Sequence, residues 1–288
     1  VSLSRVGDLA HARTRGYRRR VDAALAEIES FIAAHDGRCF VGVSWGKDST
    51  VVLDLVMRVA PATPVIHYRW PDVMRPSGLD QVRDQLIERY GMVVLTPVWS
   101  EDDHAMVSGL GRPCREEPSH PPYVEISLDG EPTAWYRTGR PFLVPENDAE
   151  REALADVWAD DATRFRSCVR ALGCSGSIIG LRGDESHGRM MHLATRGLRW
   201  ESREWGIETC APIGRWSSAD VWAYHADRDL PHAPHYDRSP RGRDRERSEM
   251  TFSYISHIWW RGMSSGWARA DPDLWQRLTA AWPEIADW

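Results

Sequence analysis

The chain has 288 residues, 42% of them hydrophobic and 27% charged, with a formal net charge of −6. That balance describes an ordinary folded protein and excludes a disordered one; a chain of this size buries about 75% of its unfolded surface without disulfide or metal staples. No apolar run approaches the roughly 20 residues needed to cross a bilayer, and the polar, Arg-rich residues 1–20 lack the apolar core of a secretory signal, so the expectation is a cytoplasmic protein with no membrane partner.

In chain order, residues 17–35 carry apolar side chains at helical spacing (Val21, Ala24, Leu25, Ile28, Phe31, Ile32) and predict an amphipathic helix. Residues 39–43 read as a short buried strand. It runs into Ser44-Trp45-Gly46-Lys47-Asp48-Ser49-Thr50, and the apolar run 51–59 then suits a helix. A strand at 64–68, a helix at 79–90 and a strand at 92–95 follow. Over 100–147 the pattern dissolves into Pro, Gly and charge, which reads as a long insertion or substrate-facing loop. Helical patterning returns over 149–172, residues 177–181 read as another strand, and a helix is expected over 218–227 with Ser217 as its cap. Strand alternating with helix predicts an α/β fold, a parallel sheet flanked by helices in the Rossmann-like manner. The expected division is an N-terminal helical segment (1–37), a nucleotide-binding domain (38–237, insertion about 100–147) and an Arg- and Trp-rich appendix (238–288).

The strongest chemical signal is the strand–loop–helix around residues 44–49. A Gly-containing turn between a strand and a helix aims backbone N–H groups at an anion, and the helix terminus adds about half a positive charge. Lys47 would supply a full countercharge, and Ser44 and Ser49 can each donate a hydroxyl hydrogen. Asp48 cannot face a phosphate without a cation between them, so Mg²⁺ is expected with a nucleoside triphosphate such as ATP. A Walker A loop does not fit: Gly42 stands one residue too close and Asp48 replaces the hydroxyl.

Ser44-Trp45-Gly46-Lys47-Asp48-Ser49 resembles the S-G-G-K-D-S loop of the PP-loop ATP pyrophosphatases, best their phosphoadenylyl-sulfate (PAPS) reductase-like branch. That branch carries a second motif, roughly G-x-R-x-x-E-S-x-x-R, and Gly180, Arg182, Glu185, Ser186 and Arg189 occupy its fixed places. A third block resembles Pro212-Ile213-Gly214-Arg215-Trp216-Ser217 with Asp220-Val221-Trp222 and Leu230-Pro231. The similarity spans about residues 38–237. One departure is Trp45, where the family has Gly; a side chain of that size must point away from the phosphates.

The resemblance implies an adenine nucleotide alpha-hydrolase-like fold and an enzyme that adenylates an acceptor on oxygen, releasing pyrophosphate, before a second nucleophile displaces AMP. Sulfur transfer to a nucleic acid or small metabolite is the expected outcome, with a sulfur-donor protein as partner. Ser44, Gly46, Lys47, Asp48 and Ser49 would hold pyrophosphate and Mg²⁺; Arg182 and Arg189 would bind a further anionic group, with Glu185 and Ser186 orienting them. A sulfonucleotide reductase is disfavoured because no Cys follows Cys210 and no E-C-G-L-H segment exists. FAD-synthetase-like nucleotidyl transfer and a non-catalytic nucleotide-binding module are also compatible with these motifs.

The five cysteines (Cys39, Cys114, Cys168, Cys174, Cys210) form no C-x-x-C and are odd in number, which argues against a disulfide framework or structural zinc. Cys114, Cys168 and Cys174 are each candidates to carry sulfur, and Cys114 leads on expected exposure. His232 and His235, separated by Pro234, are expected to be solvent-facing in a turn rather than ligands. Arginines cluster at Arg13, Arg15, Arg18, Arg19 and Arg20 and again from Arg238 to Arg247, which admits a nucleic-acid partner without requiring one. The Trp-rich end, residues 259–288, would suit a homodimer surface or a lid.

Overall fold

The computed structural model describes residues 3–67, 76–97, 123–126, 169, 172–202, 206–238 and 268–281. Two helices lead, α1 (Leu3–Ala12) and α2 (Arg15–Ala34), separated by a turn in which Thr14 Oγ1 caps α2 by accepting from the Tyr17 N–H. Then come β1 (Cys39–Val43), α3 (Lys47–Val59), β2 (Val65–His67), α4 (Leu79–Tyr90), β3 (Val94–Pro97), β4 (Tyr123–Ile126) and β5 (Gly176–Ile178). A single 3₁₀ turn (Gly183–Glu185) precedes α5 (His187–Arg196), β6 (Arg199–Ser202), β7 (Ile207–Cys210), α6 (Ser218–Arg228), the short α7 (His235–Arg238) and α8 (Pro272–Ala281).

Among the described residues the sheet has seven strands in the order β4-β3-β2-β1-β5-β7-β6. All neighbours are parallel except β6 and β7, which pair antiparallel. From β1 the chain builds outward through β2, β3 and β4, then returns to add β5 on the other side of β1. The order therefore reverses between β1 and β5, and in an open α/β sheet the crevice beyond the carboxyl ends of such a strand pair is where ligands bind.

Helix α3 lies at the centre of the packing, against β1 and between α2 and α6. Its residues Val51, Val52, Leu53, Leu55 and Val56 are all fully buried, each worth about 1.5–3 kcal/mol of burial. The one charge deep in its middle, Asp54, is held by the Tyr224 hydroxyl at 2.5 Å, by the Tyr90 hydroxyl and by Arg228 at 3.2 Å, which ties α3 to α4 and α6. Tyr17, Ile28 and Phe31 of α2 belong to the same core as β1 and α3, and α1 packs along α6.

Several expectations are met closely: β1, α4 and the Ser217 cap of α6 fall where the sequence places them. Three differ. Helix α3 starts at Lys47, inside the loop itself, and not after it. The stretch 100–147 contains an edge strand, β4, where Tyr123, Val124 and Ile126, residue types that favour strands, follow two prolines; the rest of that stretch lies outside the described residues, as do residues 149–168 and 239–267. His235 is buried at 2% exposure, not solvent-facing: α7 folds back so that its ring stacks 4.1 Å from Tyr236, while His232 Nε2 reaches Asp237 at 2.9 Å.

Candidate functional site

The first loop leaves the carboxyl end of β1 and the second leaves that of β5, so the strand reversal sets them side by side. Trp45 sits in the first loop at φ 61°, the left-handed region, which costs a non-glycine residue roughly 1–2 kcal/mol. Its side chain turns inward, 1% exposed, with the ring edge-on to His67 at the end of β2, centroids 5.2 Å apart. The bulk that departs from the family pattern is thus kept out of the loop mouth. Ser49 Oγ closes the turn, donating to the Gly46 carbonyl at 3.0 Å and accepting from the Ser44 N–H at 3.2 Å; the Ser44 hydroxyl lies 3.3 Å from it. Ser44 is exposed, and Gly46 stands at the N-cap of α3 with no side chain over the helix end.

Behind that opening three charges interlock. Lys47 Nζ contacts one Asp48 oxygen at 2.6 Å and Arg182 Nε donates to the other at 2.6 Å. Burial by itself would raise the Asp48 pKa, but the charges and hydrogen bonds of Lys47 and Arg182 outweigh it and hold the carboxyl below the usual range. Arg182 Nη1 also lies 3.7 Å from the half-exposed Asp184, so the cations are held in place beside a helix N-terminus, whose free N–H groups attract an anion. Arg182 also donates to the Trp216 carbonyl at 3.4 Å, linking the third block of the sequence to the pair.

The backbone of Lys47 is held as well. Its N–H donates to the Tyr236 hydroxyl at 3.3 Å, its Nζ lies 5.6 Å from the centre of the Tyr236 ring, and its carbonyl lies 2.9 Å from His225 Nε2. Burial pushes the His225 imidazolium down to about 4, so the ring is neutral at neutral pH and its Nε2–H donates to that carbonyl. Gly180 is required for the two loops to approach. A Cβ there would lie 2.7 Å from the Asp48 carbonyl carbon and 2.7 Å from the Ser49 nitrogen.

The second motif divides its labour. Arg182 is fully buried in the pair with Asp48, whereas Arg189 is partly exposed on α5 and paired with Glu185. Glu185 also accepts from the Arg182 N–H at 3.5 Å, and Ser186 Oγ caps α5 by accepting from the Arg189 N–H at 3.2 Å. Asp184 accepts from the Ser218 N–H at 3.0 Å, and the Gly183 N–H donates to the Gly214 carbonyl at 2.9 Å, so this turn and the start of α6 are joined.

Cys114 and Cys168 lie outside the described residues. Burial raises the thiol pKa of Cys39, to about 12, and also those of Cys210 and Cys174, so these three stay protonated and poorly nucleophilic at neutral pH. No group of three or more potential metal ligands occurs among the described residues. Asp48, the residue expected to meet Mg²⁺, has one oxygen engaged by Lys47 and the other by Arg182.

Tyr236 and His225 carry no signal of their own in the sequence. Neither belongs to a recognised spacing, and only the fold brings them to the loop. A simpler mark does stand in the sequence: Lys47 is the sole lysine in the chain, every other basic side chain of that length being arginine.

No known family's sequence profile matches the chain, and no curated protein matches it in sequence. Two solved structures are similar in backbone. One is PAPS reductase from Candida auris in its phosphate complex, 13% identical, TM-score 0.43, covering 75% of this chain and 84% of that one. The other is the U34-tRNA thiolase NcsA from Methanococcus maripaludis with its 4Fe-4S cluster, 12% identical, TM-score 0.42, covering 94% of this chain and 80% of that one.

Proposed function

We propose that the chain is an ATP pyrophosphatase-type enzyme that adenylates an acceptor and prepares it for replacement of oxygen by sulfur. The observation that carries the reading is the meeting of the two motif-bearing loops at the strand reversal, joined by Lys47, Asp48 and Arg182 with Gly180 packed against the first turn of α3. An incoming triphosphate finds the N-terminus of α3, which Gly46 leaves without a side-chain cap, the exposed Ser44 hydroxyl and the cations Lys47 and Arg182.

In the first step an acceptor oxygen attacks the α-phosphorus. The bond to the bridging oxygen of the β-phosphate breaks, and pyrophosphate departs with the electron pair. The protein's part is electrostatic: preorganised cations and amides meet the charge that grows on the leaving group. In the second step a sulfur nucleophile attacks the activated carbon and AMP leaves with the oxygen. The nucleophile is sulfide from a separate donor, or the outer sulfur of a persulfide that the donor loads onto Cys114, Cys168 or the half-buried Cys174, in which case a second thiol then cleaves the resulting disulfide and releases the thiolated product.

Incubating pure protein with Mg²⁺ and ATP labelled at the α-phosphate tests this directly. AMP with pyrophosphate is expected, and Lys47→Ala should abolish its formation while Asp48 keeps Arg182 as a partner. ADP in place of AMP would overturn the reading. Tight binding without cleavage, across a panel of acceptors, would make the chain a nucleotide-binding module.

A further inference from the structure

Residues 13–20 hold five arginines, and the fold sorts them into two kinds. Arg20 reaches Asp220 Oδ1 at 2.6 Å, beside a 2.8 Å contact from His11 Nε2 to the same atom, and together they fix the α1–α2 corner to the first turn of α6. Arg13, Arg15, Arg18 and Arg19 are exposed instead, and none has an ion-pair partner among the described residues. Arg215, exposed on the turn entering α6, is in the same condition.

Stability does not explain this placement. Arg15, Arg18 and Arg19 stand at i, i+3 and i+4, one stripe on the first turns of α2, and that helix has no acidic residue in its first turn. A helix N-terminus is already positive, so folding favours carboxylates there. Four guanidiniums without an ion-pair partner among the described residues instead concentrate positive potential on a chain whose net charge is −6. The location is also specific. Tyr17, in the midst of these arginines, is buried with its ring centre 6.3 Å from that of Trp216, and the Trp216 carbonyl is the one that accepts from Arg182. The positive surface therefore borders the carboxyl edge where the two loops meet.

We propose that Arg13, Arg15, Arg18 and Arg19, together with Arg215 on the turn next to Trp216, bind the phosphodiester backbone of a nucleic-acid strand and deliver it to the site as its acceptor. The acceptor role rests on the adenylation reading above; the binding does not. Guanidinium forks match phosphate oxygens. A protein partner would want an apolar anchor within the patch, and here the apolar side chains, Ala12 and Tyr17, are buried. Backbone contacts read neither base nor sugar, so RNA and DNA strands compete for one surface.

The test uses fluorescence anisotropy with a short labelled single-stranded RNA, without ATP, over a range of salt concentrations. Each phosphate contact contributes about 0.7 to the slope of log affinity against log salt, so the variant carrying Arg15→Gln, Arg18→Gln and Arg19→Gln should lose about two units of slope and at least about tenfold in affinity at low salt. Arg38→Gln, at the opposite, amino edge of the sheet, should leave the slope unchanged, and unlabelled DNA should compete. An unaltered slope in the triple variant, equal loss in Arg38→Gln, or polyglutamate competing as well as DNA would each overturn the proposal. Because nucleotide is absent, such a failure leaves the ATP reading standing.

Discussion

His225 couples protonation to the integrity of the loop, and the effect has a defined sign. Burial lowers its pKa from 6.5 to about 4 in the folded chain, where the neutral ring donates to the Lys47 carbonyl at 2.9 Å. Unfolded, the ring takes its proton near pH 6.5. Between the two values the unfolded state binds more protons, so the contribution to stability is complete above pH 6.5 and is lost as pH falls toward 4. At about 1.4 kcal/mol per pKa unit, the loss reaches about 3 kcal/mol. Urea unfolding from pH 7 down to pH 4 should show it, with His225→Gln as the reference: the amide can still donate to the Lys47 carbonyl but does not titrate. The gap between the two proteins should change by about 3 kcal/mol across that range, the native chain losing more. If the two curves stay parallel, the ring is not held neutral against the loop and the reasoning is refuted.

Three further outcomes rest on the same geometry. Gly180→Ala should drive α3 and the β5 loop apart, costing about 1–3 kcal/mol and at least about tenfold in ATP affinity, whereas Gly188→Ala, whose Cβ meets nothing within 4 Å, should be neutral or mildly stabilising; calorimetry and a nucleotide titration read both. Asp48→Asn removes the buried carboxylate that Lys47 and Arg182 share and should lower unfolding free energy by about 3–5 kcal/mol, measured by the urea midpoint; a near-neutral result would mean that the three charges do not interlock. Trp45→Gly installs the residue of the loops it resembles and relieves the left-handed backbone, but removes a side chain that is 1% exposed. Loss of packing, about 3–5 kcal/mol for such a truncation, exceeds the roughly 1–2 kcal/mol of strain, so the variant should be the less stable one by thermal melting.

The parts of the fold that are legible in the sequence are those where one short-range rule decides. Cys39-Phe40-Val41-Gly42-Val43 is apolar throughout because β1 is covered on both faces, and Ser217 with Asp220 writes a capping box at the start of α6. The antiparallel pair β6 and β7 is not legible. Arg199-Trp200-Glu201-Ser202 is only half-buried at the sheet edge and shows no clean alternation. Helix α5 escapes for a different reason: His187–Arg196 is amphipathic but short, and Ser186 and Arg189 of the second motif, at its cap and first turn, read as site chemistry before they read as a helix start. His235 departs from expectation because flanking prolines signal a turn but say nothing of which way the turn folds.

The site itself is legible as residue types and not as pairings. From sequence alone, a carboxylate in a phosphate loop demands a cation, and a metal is the general way to supply one. The fold offers another. Lys47, adjacent in sequence, and Arg182, 134 positions later, each take one oxygen of Asp48. The countercharge that Asp48 demands is thus supplied within the protein, and the second motif acquires a task that its spacing does not reveal. Arg182 positions the first loop through Asp48, so an anion entering the site is received by cations whose places are already set. That preorganisation is why Gly180 leaves no room for even one methyl group beside the Asp48 backbone: the two loops can share a carboxylate only if their backbones nearly touch.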